Sequence, residues 1–214
     1  MSWHSTVNVL SEQEVAKMAE VKSESPAMHH ELKALAPPQG AAMELGSAQY
    51  HSLRQAIFTA GQPFVTPGCR IVDLNCGKGE FLEPFIEKNE DLCRFIMVDP
   101  SVGNIQSCME RFHMRMHLGF VRPAALDLSK GFPDVSSRLT LCIGGLDPLP
   151  LERRAEILGS VRKHLEKGGA FIMVEELRNE SDCASWLGSL KAAGFDGIER
   201  IWSSGNICAW VATK

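Results

Sequence analysis

The chain has 214 residues, 44% of them hydrophobic and 22% charged, with a formal net charge of −4. That length suits one α/β domain with a full core, and a second catalytic domain of ordinary size would not fit beside it. No apolar run approaches the roughly 20 residues of a membrane span, and MSWHSTVNVL lacks the basic and apolar regions of a signal peptide, so a cytoplasmic protein is expected. The acid excess speaks against the broad basic footprint of nucleic-acid binding.

Residues 1–49 read as a separate helical segment. Ser11 to Val21 predicts a helix with Ser11 as its cap and Glu14 three residues on. Ser25-Pro26 and the stretch with Pro37, Pro38 and Gly40 read as loop. His29 and His30 are adjacent, so an extended backbone points them to opposite sides, and without a carboxylate or cysteine cluster no metal site is expected. Gly46 to Ala60 predicts the helix that leads into the main domain, packing through Tyr50, Leu53, Ile57 and Phe58.

The richest segment is RIVDLNCGKGEF, residues 70–81. Arg70 to Leu74 predicts a buried parallel strand, Asn75 to Gly79 a tight turn, and Glu80 onward a helix reaching Lys88. Gly77 and Gly79 reach positive φ at little cost and let a ligand lie close to the backbone. Asn75 is among the few other residues that tolerate the left-handed region. Asp73, at the strand end, can bind an ammonium group directly or through water.

Further strands follow in order. RFIMV, Arg94 to Val98, ends in Asp99, Pro100 and Ser101, and SVGNIQSCMERFHMR predicts one helix capped by Ser101, with Ile105, Met109 and Phe112 on a common face. Ala124-Ala125-Leu126 leads to Asp127 and Leu128. Leu139 to Ile143 is a strand running into Gly144-Gly145-Leu146-Asp147-Pro148. Leu151 to Leu165 predicts a helix with Leu151, Ala155, Leu158, Val161 and Leu165 inward, closed by Lys167-Gly168-Gly169 before the strand Ala170 to Val174. Ser181 to Ala193 predicts a helix, and Gly197 to Ser203 with Asn206 to Ala212 a hairpin turning at Ser204-Gly205.

DLNCGKG resembles the first motif of the class I S-adenosylmethionine (SAM) dependent methyltransferases, an acid followed by alternate glycines, with Asn75 in one glycine position. The later strands and the hairpin keep the family's order over roughly residues 50–214. The resemblance implies a seven-stranded, mostly parallel Rossmann-like α/β sheet with a C-terminal antiparallel hairpin and an N-terminal helical lid. It implies SAM as cofactor, S-adenosylhomocysteine (SAH) as product and a small-molecule acceptor. The cofactor-binding set is Asp73, Leu74, Asn75, Gly77, Gly79, Asp99, Pro100, Asp127, Leu128 and Gly144. Asp99 can accept from both ribose hydroxyls, and Asp127 with the Leu128 N–H can read the adenine edge.

LCIGGLDPLPLERRAEILGSVRKHLEKGGAFIMVEE resembles a branch that includes carboxy-SAM synthase-like enzymes, although the arginines for an extra carboxylate are not evident beyond Arg178 and Arg200. No catalytic residue is assigned. Asp147, Glu175 and Glu176 are candidate proton acceptors, and Lys78 is expected to face water. Two readings stand beside methyl transfer: a cofactor-binding module without turnover, and an NAD enzyme, against which the hairpin argues. Arg111, His113, Arg115, His117 and Arg122 read as a solvated helix end, with structured RNA and a homodimer left open as partners. Seven cysteines stand without a CxxC pair, which predicts buried, reduced thiols rather than a disulfide framework or zinc site.

Overall fold

The computed structural model describes residues 45–89, 91–117, 119, 121–128 and 133–214. The helix expected at Ser11 to Val21 and the pair His29 and His30 lie outside them. The elements are α1 (Ser47–Gly61), β1 (Arg70–Leu74), α2 (Glu83–Asn89), β2 (Arg94–Asp99), α3 (Val102–Arg111), α4 (His113–His117) and β3 (Val121–Ala125). They continue with β4 (Ser137–Ile143), α5 (Leu151–His164), β5 (Leu165–Glu176), α6 (Glu180–Ala192), β6 (Asp196–Ser204) and β7 (Ile207–Thr213).

The seven strands form one sheet in the order β3-β2-β1-β4-β5-β7-β6. All pairings are parallel except those of β7 with β5 and β6. The antiparallel hairpin turns at Gly205, whose φ is 56°. Pro123 lies in β3, an edge strand, where a missing ladder donor is tolerated.

Alternation along each strand divides the core into two layers. Ile71, Phe95, Met97, Leu139, Leu141, Ile172 and Val174 face α1, α2 and α3, meeting Leu53, Ile57, Phe85 and Ile105. Val72, Leu74, Val98, Cys142, Phe171, Met173 and Trp210 face α5 and α6, meeting Leu158, Val161, Trp186 and Leu190. Strands buried on both faces read as continuous apolar runs, which is why RIVDL and RFIMV are so legible.

Four expectations are corrected. The helix after the glycine turn starts at Glu83 rather than Glu80 or Phe81, because successive turns follow Gly79 and Pro84, lacking an N–H, belongs in a first helical turn. The single helix expected after Ser101 is two, broken at Phe112, whose φ of −111° and ψ of 19° take it out of the helix while its ring is buried. Arg111 and Arg115 thus stand on different helices. In α5, Leu151 and Ala155 are exposed, and Ile157 joins Leu158 and Val161 inward.

Lys167-Gly168-Gly169 also depart from expectation. Leu165 is already extended, with ψ 136°, and opens β5, so the glycines do not cap α5. They lie in an irregularity where the register passes from Ser137 opposite Leu165 to Leu139 opposite Ala170. Gly168 has φ 71°, its N–H donates to the Lys214 carbonyl at 3.2 Å, and the Lys214 N–H donates to Gly169 at 3.1 Å. A Cβ at Gly169 would lie 2.8 Å from the Arg138 carbonyl oxygen and 2.9 Å from that of Glu166. Gly169→Ala is therefore expected to destabilise the fold by roughly 1–3 kcal/mol, read as a lower urea midpoint at constant slope, since backbone cannot yield as a flexible side chain would.

Candidate functional site

β1 and β4 are neighbours, yet the strands that follow β1 in sequence lie on its other side. Loops leaving the two strands diverge there, and such a switch point opens a crevice at the carboxyl edge of a sheet. The residues singled out in sequence gather at this edge from four strands. Pro100 is exposed beside it, while Leu74 points its side chain into the opposite core layer and offers only backbone.

The loop after β1 is bound to the end of β2. The Cys76 N–H donates to the Val98 carbonyl at 2.9 Å, and the Gly77 N–H donates to Asp99 Oδ2 at 2.9 Å. Its two glycines do different work. A Cβ on Gly79 would lie 2.5 Å from the Met97 methyl and 2.6 Å from the Phe112 ring, so Gly79 allows close packing beneath the loop. A Cβ on Gly77 would meet nothing within 4 Å, so Gly77 offers the open surface. Lys78 is exposed, and its carbonyl accepts from Arg111, which also pairs with Glu83 at 3.1 Å.

Asp99 is nearly enclosed and accepts from three groups. Oδ1 takes the Ser101 N–H at 2.8 Å and the Asn104 amide at 3.0 Å, while Oδ2 takes the Gly77 N–H. A carboxylate has about four acceptor positions, so it retains capacity for a further donor. The Asp99 carbonyl also accepts the Leu126 N–H at 3.0 Å, bringing Asp127 and Leu128 to the same edge. Arg153, which the sequence reading missed, donates to the Leu128 carbonyl from Nε at 3.0 Å and Nη2 at 2.6 Å. The signal was its place in the ERR run opening α5.

Asp73 is 0% exposed, and among the described residues neither of its buried carboxylate oxygens has a hydrogen-bond donor. Burial, and secondarily the charge of Asp99, pushes its pKa up to about 8. A carboxylate left without protein donors is one that a cation or water can satisfy.

The loop after β4 is held at every step. Asn75 Nδ2 donates to the Ile143 carbonyl at 2.8 Å, and the Gly144 N–H, at φ 66°, donates to the Val174 carbonyl at 2.8 Å. Glu175, 0% exposed, accepts the Leu146 N–H at 3.0 Å and the Asp147 N–H at 3.2 Å. Burial raises its pKa to about 8 against the opposing pull of those two donors. Asp147 pairs with Arg154 at 3.2 Å and Arg178 at 2.6 Å, and Arg154 Nη2 also meets its carbonyl. Glu176 accepts from Asn206 at 2.7 Å. The three candidate proton acceptors are all engaged in holding the edge together.

All seven cysteines are free and six are buried, though they are less scattered in space than in sequence. Cys69 and Cys93 approach to 3.2 Å between sulfurs and Cys76 and Cys108 to 4.0 Å. Contact with Cys108, then burial, drives the Cys76 thiol pKa upward, and burial does the same for Cys142. Neither is poised as a nucleophile. Among the described residues no group of three or more His, Cys, Asp or Glu could hold a metal ion, and no helix is long and apolar enough to cross a membrane.

Residues 71–169 match the family model described as a methyltransferase domain. The chain is 30% identical over 139 residues to a carboxy-S-adenosyl-L-methionine synthase of Stutzerimonas stutzeri, covering 62% of this chain and 56% of that one. In structure it is similar to human N-acetylserotonin methyltransferase, solved with SAM, with TM-score 0.60, 15% identity, and 75% of this chain matched to 51% of that one. A putative O-methyltransferase of Nostoc punctiforme gives TM-score 0.63 and 14% identity over 76% of this chain and 56% of its own. The chain thus spans about half the length of these relatives, and their likeness in structure shows the shared Rossmann-like fold with its antiparallel C-terminal hairpin.

The two raised carboxyl pKa values set a pH dependence of stability. Between the ordinary carboxylate range and about pH 8 the folded chain keeps protons on Asp73 and Glu175 that the unfolded chain has released. Stability accordingly falls as pH rises through that window, by about 1.4 kcal/mol per pH unit for each group. Urea titrations between about pH 5.5 and 7.5 are expected to show this fall, and Asp73→Asn is expected to remove about half of the slope.

Proposed function

We propose that this chain is a SAM-dependent methyltransferase acting on a small molecule. The observation that carries the reading is spatial order: Asp127 and Leu128 follow β3, Asp99 ends β2, Asp73 and the glycine loop belong to β1, and Gly144 follows β4, on adjacent strands of one edge. An elongated nucleoside cofactor laid along that edge meets an adenine reader, a ribose acceptor and an ammonium acceptor in turn. The donorless carboxylate of Asp73, the spare capacity of Asp99 and the open face of Gly77 all fit it.

When bound, SAM supplies an electrophilic methyl group on a sulfonium, so the protein's share of the work is positioning and exclusion of water. Arg153 steadies Leu128 for the adenine edge, and Asp99 takes ribose hydroxyls while tying the glycine loop to β2. Asp73 would offer its carboxylate to the ammonium group, directly or through water. Gly144 follows β4 at the strand end that an acceptor would approach, and Gly145 gives its space to the Asn75 side chain. Asp147, Glu175 and Glu176 keep that strand end rigid, which supports catalysis by positioning rather than by proton transfer.

Methyl transfer is favoured over carboxyl transfer by the state of the arginines. Arg178, which could have met an extra carboxylate, is paired with Asp147 at 2.6 Å, and Arg200 lies on β6 at the far edge of the sheet. The net charge of −4 supports a small acceptor over nucleic acid.

Isothermal titration is expected to show one-to-one binding of SAM and SAH; a folded chain that binds neither would refute this reading. Asp99→Ala is expected to weaken both by about 100-fold, from loss of charge-assisted bonds to ribose together worth about 3 kcal/mol. Unchanged affinity would remove the ribose assignment.

A further inference from the structure

Asn75 is, among the described residues, the one non-glycine with positive φ, at 63°. That conformation strains a side-chain-bearing residue, a strain that glycine avoids. Something must offset it, and the contacts of the side chain show what. Nδ2 donates to the Ile143 carbonyl at 2.8 Å, so the carboxamide spans from the loop after β1 to the end of β4. A Cβ on Gly145 would lie 2.8 Å from Asn75 Cβ and 3.2 Å from its Cγ, so Gly145 is the space into which the amide fits. With Nδ2 committed to Ile143, Oδ1 is left as an acceptor with no donor among the described residues.

The strand order says which part of a ligand comes to this amide. If adenine is read after β3 and ribose at the end of β2, the sulfur follows over β1, at the junction with β4. A sulfonium carries a positive charge and a thioether carries none, and an amide oxygen attracts only the former appreciably. Resting on the cofactor assignment made above, we propose that Asn75 is a positioning residue that braces the β1–β4 crevice and presents its carboxamide oxygen to the sulfur, favouring SAM over SAH. The glycine expected at this position would bind the two with less distinction.

The experiment is isothermal titration of SAM and of SAH into the wild type, Asn75→Gly, Gly145→Ala and the double variant, with thermal melts of each. Asn75→Gly suits the backbone at φ 63° and is expected to melt at or near the wild-type temperature. It should weaken SAM about tenfold and SAH less than twofold. Gly145→Ala displaces the amide and should shift the SAM-to-SAH ratio in the same direction, but should not shift it further once Asn75 is glycine. Equal weakening of both ligands, no change in either, or additive effects of the two substitutions would overturn the proposal. A folded wild type that binds neither ligand would refute the cofactor assignment itself and the proposal with it.

Discussion

Where parallel strands end, the backbone N–H groups of the departing loops lose their ladder partners, and in this chain two buried carboxylates supply acceptors in their place. Asp99, at the end of β2, takes N–H groups from Gly77 and Ser101, joining the glycine loop to the start of α3. Glu175, near the end of β5, takes those of Leu146 and Asp147 and so fixes the loop after β4. Buried polar groups must be paired, and a bond to a charged or strongly polar acceptor in a dry environment is harder to lose than one in water. The loops leaving this edge are therefore tied to the sheet through buried hydrogen bonds.

Asp73 is the counterpart. It sits in the same sheet, on the strand next to that of Asp99, equally buried, and without a donor among the described residues. Adjacent strands thus end in one carboxylate with three donors and one with none among the described residues. Packing around the loop reinforces the division: Gly79 admits Met97 and Phe112 beneath it, and Gly77 leaves the surface above it clear.

Much of the architecture was legible because parallel strands buried on two faces must be apolar throughout, and RIVDL, RFIMV and AFIMV stand out as such. Asn75 was read as a residue able to adopt positive φ, and it does so at 63°. The errors fall where local pattern and tertiary demand diverge. Gly168 and Gly169 look like the end of a helix, but Arg138 and the C-terminal Lys214 claim their place inside β5. Phe112 fits the helical period of its neighbours, yet its ring is needed beneath Gly79, and the helix breaks to deliver it. Asp147, Glu175 and Glu176 carry the same side chains that a base would, and only their partners reveal that they hold loops.

By itself the sequence determined which segments become strands, their order along the chain, and the acids and glycines that would end them, because hydrophobic periodicity and backbone preference are local properties. The tertiary structure decided what each of those residues has left to offer. Whether an acid is paired or unpaired, whether a glycine makes room below a loop or above it, and whether Asn75 stands in water or bridges to Ile143 all depend on chain segments distant in sequence. The glycine loop is recognisable from a dozen consecutive residues, while its position next to the end of β4 exists only because β4 was laid against β1.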